Sequence, residues 1–258
     1  MSGHSKWATT KRQKAVVDAK KGNIFTKIAK LIAIASRKGK DPTTNFSLRI
    51  AIEKARDVNM PKDNIERAIK RGSGELGEAQ IEELIYEGIG PAKTQFIVKC
   101  LTDSKNRAAA EIRHIFLKYN GSLSAVMWNF NHQAVIRIAN HELKFSQLAC
   151  PAPAVDKGEK GNFSYSNFDE FELGIIDQGA EDIIEEEEGI TIYAAPVDLQ
   201  KIKQFLENKN IKTESAEIEY VAKEHLDLKE EEKSRVEKFI NELEENEDVA
   251  GYYTNANM

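Results

Sequence analysis

Apolar residues recur along this chain at two periods, and the switches between them divide it into segments. From Asn23 to Lys38 the positions Ile24, Ile28, Leu31 and Ala35, with Phe25 and Ile32 beside them, have the spacing of an amphipathic helix. Asn23 is placed to cap it and Gly39 to end it. After the break at Asp41-Pro42, a second helix carries Leu48, Ala51, Ile52 and Ala55 on one face. Pro61 suits the first position of a third, with Asp63 in its first turn, Lys70 and Arg71 in its last, Gly72 beyond, and Ile65 and Ile69 facing inward. Three such helices share one small core. The polar stretch before them, residues 1–22, surrounds a single large aromatic, Trp7, and reads as a mobile arm.

The Gly72-Ser-Gly-Glu-Leu-Gly77 run has the form of a dinucleotide fingerprint, but it follows a helix and precedes a strand. It reads as a linker. Beyond it the period falls to two. Ile81 to Tyr86 and Gln95 to Leu101 read as strands, with the Glu87-Gly-Ile-Gly-Pro91 segment as their turn. A helix to Tyr119 follows, with Ala109, Ile112 and Phe116 inward and Gly121 ending it. Val126 to Phe130 and Ala134 to Ala139 read as a second hairpin. Residues 140–166 lose periodicity and read as an inserted loop. The order then expected is a helix near Phe168 to Gln178, strands at Asp182 to Glu185 and Ile190 to Ala194, a helix from Val197 to Lys209 and a strand from Ser215 to Val221. That alternation suggests a small ferredoxin-like module. A helix over Lys229 to Glu245, with Val236, Phe239, Ile240 and Leu243 at helical spacing, and a strand at Val249 to Tyr253 return to the middle domain.

Charge changes the picture. Residues 1–72 hold eighteen Lys or Arg against six Asp or Glu, a balance of +12, whereas the remaining residues hold nineteen against thirty-six, a balance of −17. A pI near 5.7 thus conceals a basic block on an acidic body. Such segregation points to a polyanionic partner, nucleic acid first. No run of apolar residues is long enough to span a membrane, and no apolar leader opens the chain. Cys100 and Cys150 supply no disulfide framework and read as reduced thiols.

The chain resembles the YebC/PmpR family of probable transcriptional regulators, which also includes mitochondrial translational activators. The resemblance rests on Gly3-His-Ser-Lys-Trp7, Asp18-Ala-Lys-Lys-Gly22 with Phe25-Thr-Lys27, Asn59-Met-Pro-Lys-Asp63 and Ile65-Glu-Arg-Ala-Ile-Lys-Arg-Gly72. Further along it continues in Tyr86-Glu-Gly-Ile-Gly-Pro91, Cys100-Leu-Thr-Asp103, Asn106-Arg107, Glu111-Ile-Arg-His114 and Gly179-Ala-Glu-Asp182. It implies an α+β multidomain protein: an N-terminal three-helix bundle over 1–75, a discontinuous α+β domain over 78–140 plus 223–258, and an inserted ferredoxin-like α+β domain over 141–222. It also implies a cytoplasmic protein without a cofactor, whose basic domain contacts nucleic acid. With the Gly3 motif this close to the first residue, the resemblance leads us to expect no transit peptide. Two stretches depart from the family pattern: the short passage from Gly121 to Val126, and the long 140–166 segment.

A catalytic reading finds little. His4, His114, His132, His141 and His225 show no metal-ligand spacing, no nucleophile motif is present, and Glu185 to Glu188 read as a solvated turn rather than a cation site. We expect no catalytic or metal-binding residues, and a monomer whose acidic domains can meet protein partners. The binding reading has a mechanism. Lys6, Lys11, Arg12, Lys14, Lys20, Lys21 and Lys27 can neutralise phosphates, Lys62, Lys70 and Arg71 lie near the termini of the third helix, and Trp7 can stack on an exposed base or anchor the arm. Promoter DNA and ribosomal RNA remain alternatives, because no recognition-helix code is legible.

Overall fold

The structure is a computed structural model that describes residues 21–77, 79–139, 168–186 and 189–258. The chain is α+β and groups into two compact units, one drawn from residues up to Phe130 and from Ala222 onward, the other from Asn131–Val221.

The first unit begins with three helices, α1 (Lys21–Ser36), α2 (Phe46–Asp57) and α3 (Lys62–Gly72). Their shared core comprises Ile28, Ile32, Leu48, Ala51, Ile52, Ala55, Met60, Ile65 and Ala68, as the three-and-four spacing predicts. Asn45 caps α2, its side-chain oxygen accepting the Leu48 N–H at 3.1 Å, and the Asn45 amide also donates to the Ala35 and Gly39 carbonyls at 2.8 Å. Asn23 is not a cap: it lies inside α1, which starts earlier than the spacing implied. Gly72 is no linker residue either. It ends α3 where that helix crosses α1, and a Cβ there would stand 1.9 Å from the Ala33 carbonyl oxygen. Only glycine lets the two backbones come this close.

Strands β1 (Glu82–Ile89), β2 (Gln95–Thr102), β3 (Ser122–Leu123) and β9 (Val249–Thr254) form a sheet in the order β3-β1-β2-β9. The β1–β2 register runs from Glu82 opposite Thr102 to Ile89 opposite Gln95. The hairpin turn is therefore tighter than expected, confined to Gly90–Thr94 with positive φ at Ala92 and Lys93. Gly88, expected in the turn, is a strand residue. Its Cβ would meet the Phe116 ring at 2.4 Å and the Ser122 carbonyl at 2.8 Å, so glycine there admits close packing of helix and strand.

On one face of this sheet lie α4 (Lys105–Lys118) and α7 (Glu230–Glu245). Phe96, Val98 and Cys100 of β2 pack there with Ile112, Ile115 and Phe116 of α4, with Val236, Phe239, Ile240 and Leu243 of α7, and with Tyr252 of β9. Phe239 is the hub, meeting Phe96 and Phe116 edge-on with ring centroids 4.9 and 5.0 Å away. A smaller cluster of Ala33, Ile81 and Leu101, flanked by Leu31, Ile34 and Ala250, joins α1 to the sheet. The short strands β8 (Leu226–Asp227) and β10 (Ala256–Asn257) pair in parallel near the end of the chain.

The second unit is built on β4 (Phe130–Ala139), α5 (Phe168–Ile176), β5 (Ala180–Glu186), β6 (Gly189–Ala194), α6 (Leu199–Asn208) and β7 (Ser215–Ala222). Its sheet has the order β5-β6-β4-β7. A β-α-β-β-α-β chain with its first strand between its third and fourth is the ferredoxin-like arrangement. The second hairpin expected from sequence does not form. Val126 to Phe130 make a 3-10 turn (Met127–Asn129) leading into β4, and Ala134 to Ala139 pair with β6 from Ala194 to Gly189. What read as the return strand of a local hairpin is the first strand of the inserted fold. Alternation explains the wrong partner: apolar residues on both faces of β4 mark a central strand without saying what flanks it.

Across this sheet Arg137 and Glu219 form a buried two-pronged pair, Nη1 to Oε1 at 2.9 Å and Nη2 to Oε2 at 3.2 Å. Burial alone would lower the Arg137 pKa, but the Glu219 charge and bonds hold it above the ordinary value.

Candidate nucleic-acid interface

The expected contact residues separate into three groups. Lys6, Trp7, Lys11, Arg12, Lys14 and Lys20 lie outside the described residues, as does the arm reading of this stretch. Lys21 opens α1. The others fall in α1 and α3, where their surroundings differ.

Lys27 is turned inward on the protein itself. Its Nζ donates to the Glu244 carbonyl at 2.6 Å, one turn from Asn23, whose Nδ2 donates to the Glu245 carbonyl at 2.9 Å. One turn further, Lys30 Nζ reaches the Glu247 carbonyl at 2.9 Å and Asp248 Oδ1 at 2.6 Å. These carbonyls sit at and just past the C-terminal end of α7, where the last backbone oxygens lack intrahelical partners and the helix dipole is negative. Side chains of α1 thus supply what α7 needs at that end. The 217-residue separation in sequence hides the relationship: lysines three apart on a helix look alike whether they serve a phosphate or a distant carbonyl.

Asp248 is the centre of this junction. It is 3% exposed and takes bonds from Lys30, from Arg107 at 3.0 Å and from the Thr102 hydroxyl at 3.0 Å. Burial would raise its carboxyl, and the bonds from Lys30 and Arg107 reverse that, holding it below the ordinary carboxylate value. Arg107 also bonds Asp103 at 3.1 Å, and Arg71 reaches the other Asp103 oxygen at 3.5 Å. The end of α3 is thereby tied to the start of α4.

Lys62 and Lys70 are exposed on α3, and so are Lys38 after α1 and Arg56 on α2. Lys38 and Arg56 were not among the expected contacts. Two other cations of the basic block are engaged locally: Lys40 pairs with Glu75, and Arg37 donates to the Ile81 carbonyl. His114 is exposed on α4.

Cys100 is buried and unpaired with any other cysteine among the described residues, and burial pushes its thiol up to about 12. Cys150 and residues 187–188 of the acidic turn lie outside the described residues. Among the described residues no three His, Cys, Asp or Glu side chains are grouped to hold a metal ion, and no helix is long and apolar enough to cross a membrane.

Comparison with known proteins gives a consistent family. A probable transcriptional regulatory protein of Thermoanaerobacter pseudethanolicus is 44% identical, the alignment covering 100% of this chain and 98% of that one. One of Caldanaerobacter subterraneus is 42% identical over 100% of this chain and 99% of its own length. The crystal structure of a conserved hypothetical protein from Aquifex aeolicus superposes with a TM-score of 0.75 at 35% identity, covering 94% of this chain and 92% of that one. Residues 5–75 match the TACO1/YebC protein N-terminal domain and residues 81–256 the TACO1/YebC second and third domain. The chain belongs to the TACO1/YebC family.

Proposed function

We propose that this protein is a non-enzymatic regulator of gene expression that binds nucleic acid through its basic N-terminal stretch, acting as a DNA-binding transcriptional regulator in the cytoplasm. The observation that carries the reading is the +12 balance of residues 1–72 on a chain whose net charge is −5. Names of close relatives, probable transcriptional regulatory proteins, support the regulatory part.

The proposed footprint comprises Lys6, Trp7, Lys11, Arg12, Lys14, Lys20 and Lys21 together with Lys62, Lys70 and Arg71, to which the exposed Lys38 and Arg56 are added. Lys27 is left out because its ammonium serves the α7 carbonyls. Phosphate neutralisation releases counterions, so binding weakens steeply with salt, and each cation removed from the footprint lowers the slope by about one.

Simultaneous charge reversal at Lys11, Arg12, Lys14, Lys20 and Lys21 tests the reading. Binding to duplex DNA at low salt should be abolished while the melting temperature is kept. Unchanged affinity would remove the arm from the mechanism. Crosslinking in cells followed by sequencing of bound DNA and RNA identifies the target. Promoter DNA supports the regulator, ribosomal RNA replaces it with a translation factor using the same basic surface, and enrichment of neither sinks both.

A further inference from the structure

Trp128 is 63% exposed, yet the turn that carries it is bonded from three directions. From β1, one Glu87 carboxylate oxygen accepts the backbone N–H groups of both Val126 and Met127 at 2.8 Å, and the Glu87 carbonyl accepts that of Ser124 at 3.0 Å. From the start of β2, Gln95 Oε1 accepts from Asn129 Nδ2 at 2.7 Å. From the segment after β7, the Lys223 N–H donates to the Asn129 carbonyl at 2.8 Å and the Glu224 N–H to Asn129 Oδ1 at 3.1 Å. Lys223 Nζ donates to the Trp128 carbonyl at 2.9 Å. Val126, Asn129 and Phe130 are buried around it. Bonds from three elements hold the turn, while the Trp128 side chain stands in water.

An exposed indole contributes little to stability, whereas one carried on a well-held turn adds no backbone ordering cost when it binds. The cation at this turn says what it suits. An ammonium has three N–H donors, of which the Trp128 carbonyl uses one, so Lys223 can still meet an anion. An exposed indole on a residue whose carbonyl holds an exposed lysine ammonium matches a base with its phosphate. Resting on the reading given under Proposed function, we infer that Trp128 and Lys223 form a second nucleic-acid contact, outside the basic block. One unpaired base of a single strand stacks on the indole while Lys223 meets the adjoining phosphate. Duplex offers no free base face and engages only the basic stretch.

Full-length protein labelled with 5-fluorotryptophan gives one fluorine line for Trp7 and one for Trp128, the second identified by its loss in Trp128→Phe. Titration with a single-stranded oligouridylate should move the Trp128 line, and a duplex of equal length should not. By fluorescence anisotropy, Trp128→Ala should weaken single-strand binding by about five- to a hundred-fold, with Trp128→Phe intermediate, while duplex affinity and melting temperature are unchanged. If oligouridylate binds but the line stays and Trp128→Ala binds as the parent does, the inference is overturned and the indole is left to a protein partner. If neither single strand nor duplex binds, the nucleic-acid reading itself fails.

Discussion

Lys30 Nζ lies 2.6 Å from Asp248 Oδ1, joining two residues 218 positions apart in a pair whose side chains are 12% and 3% exposed. Around it meet α1, the end of β2, the first turn of α4 and the approach to β9. Asp248→Ala leaves the Lys30 ammonium and the Thr102 hydroxyl without their buried acceptor. Loss of one partner of such a pair costs about 3 to 5 kcal/mol, measurable as a lower urea midpoint with an unchanged slope.

The same carboxylate gives stability a pH dependence of known sign. Because its pKa is depressed in the folded state, its contribution is fully present above the unfolded value of about 3.9 and is lost as pH falls through the folded value. The stability gap between the parent and Asp248→Asn should therefore be widest near neutrality and close in acid. A gap independent of pH between 7 and 3 would show that the charge is not what matters.

Lys27 distinguishes structural from binding lysines. Lys27→Met removes the donor to the Glu244 carbonyl and should cost about 1 kcal/mol through the exposed end of α7. The salt slope of nucleic-acid binding should stay as in the parent. A slope reduced by about one would return Lys27 to the phosphate-contacting set.

In the inserted unit, Glu219→Ala should be among the most damaging single changes, at about 3 to 5 kcal/mol, because it strands the Arg137 guanidinium under the sheet. Replacing both members, Arg137→Met with Glu219→Leu, should recover most of that loss. A double variant as unstable as the single one would show that the pair supplies more than mutual neutralisation.

Cys100 should resist iodoacetamide at pH 8 in the native protein, since a thiol near 12 holds almost no thiolate there. Peptide mapping should find it alkylated only after denaturation.

The helical cores were legible because burial at a period of 3.6 leaves a direct mark: all four residues expected on the inner face of α2 are buried, and so are the four of α7. Three features were not legible, each for its own reason. The partner of β4 is chosen by strands that lie far along the chain. Gly72 and Gly88 read as turn or linker residues because sequence shows a missing side chain without showing whether it frees the backbone or makes room for a neighbour. The role of Lys27 depends on where α7 ends in space. Trp128 was absorbed into an expected strand, and the hydrogen bonds that present it come from β1, β2 and the segment after β7.

The placement of Asp248 has a consequence for how the chain acquires its fold during synthesis. Once Ala222 has left the ribosome, the inserted unit has every strand of its sheet. The first unit, begun earlier, still lacks α7, the outer strand β9 and the anion that receives Lys30. Until α7 and Asp248 emerge, the apolar face of β2 has only α4 to pack against and Lys27 and Lys30 lack their acceptors, a long-range closure of the kind that slows folding. Lys27 and Lys30 of α1 gain their acceptors only once residues 244–248 have emerged, so a chain truncated before Asp248 carries its positive charge on an unfinished scaffold.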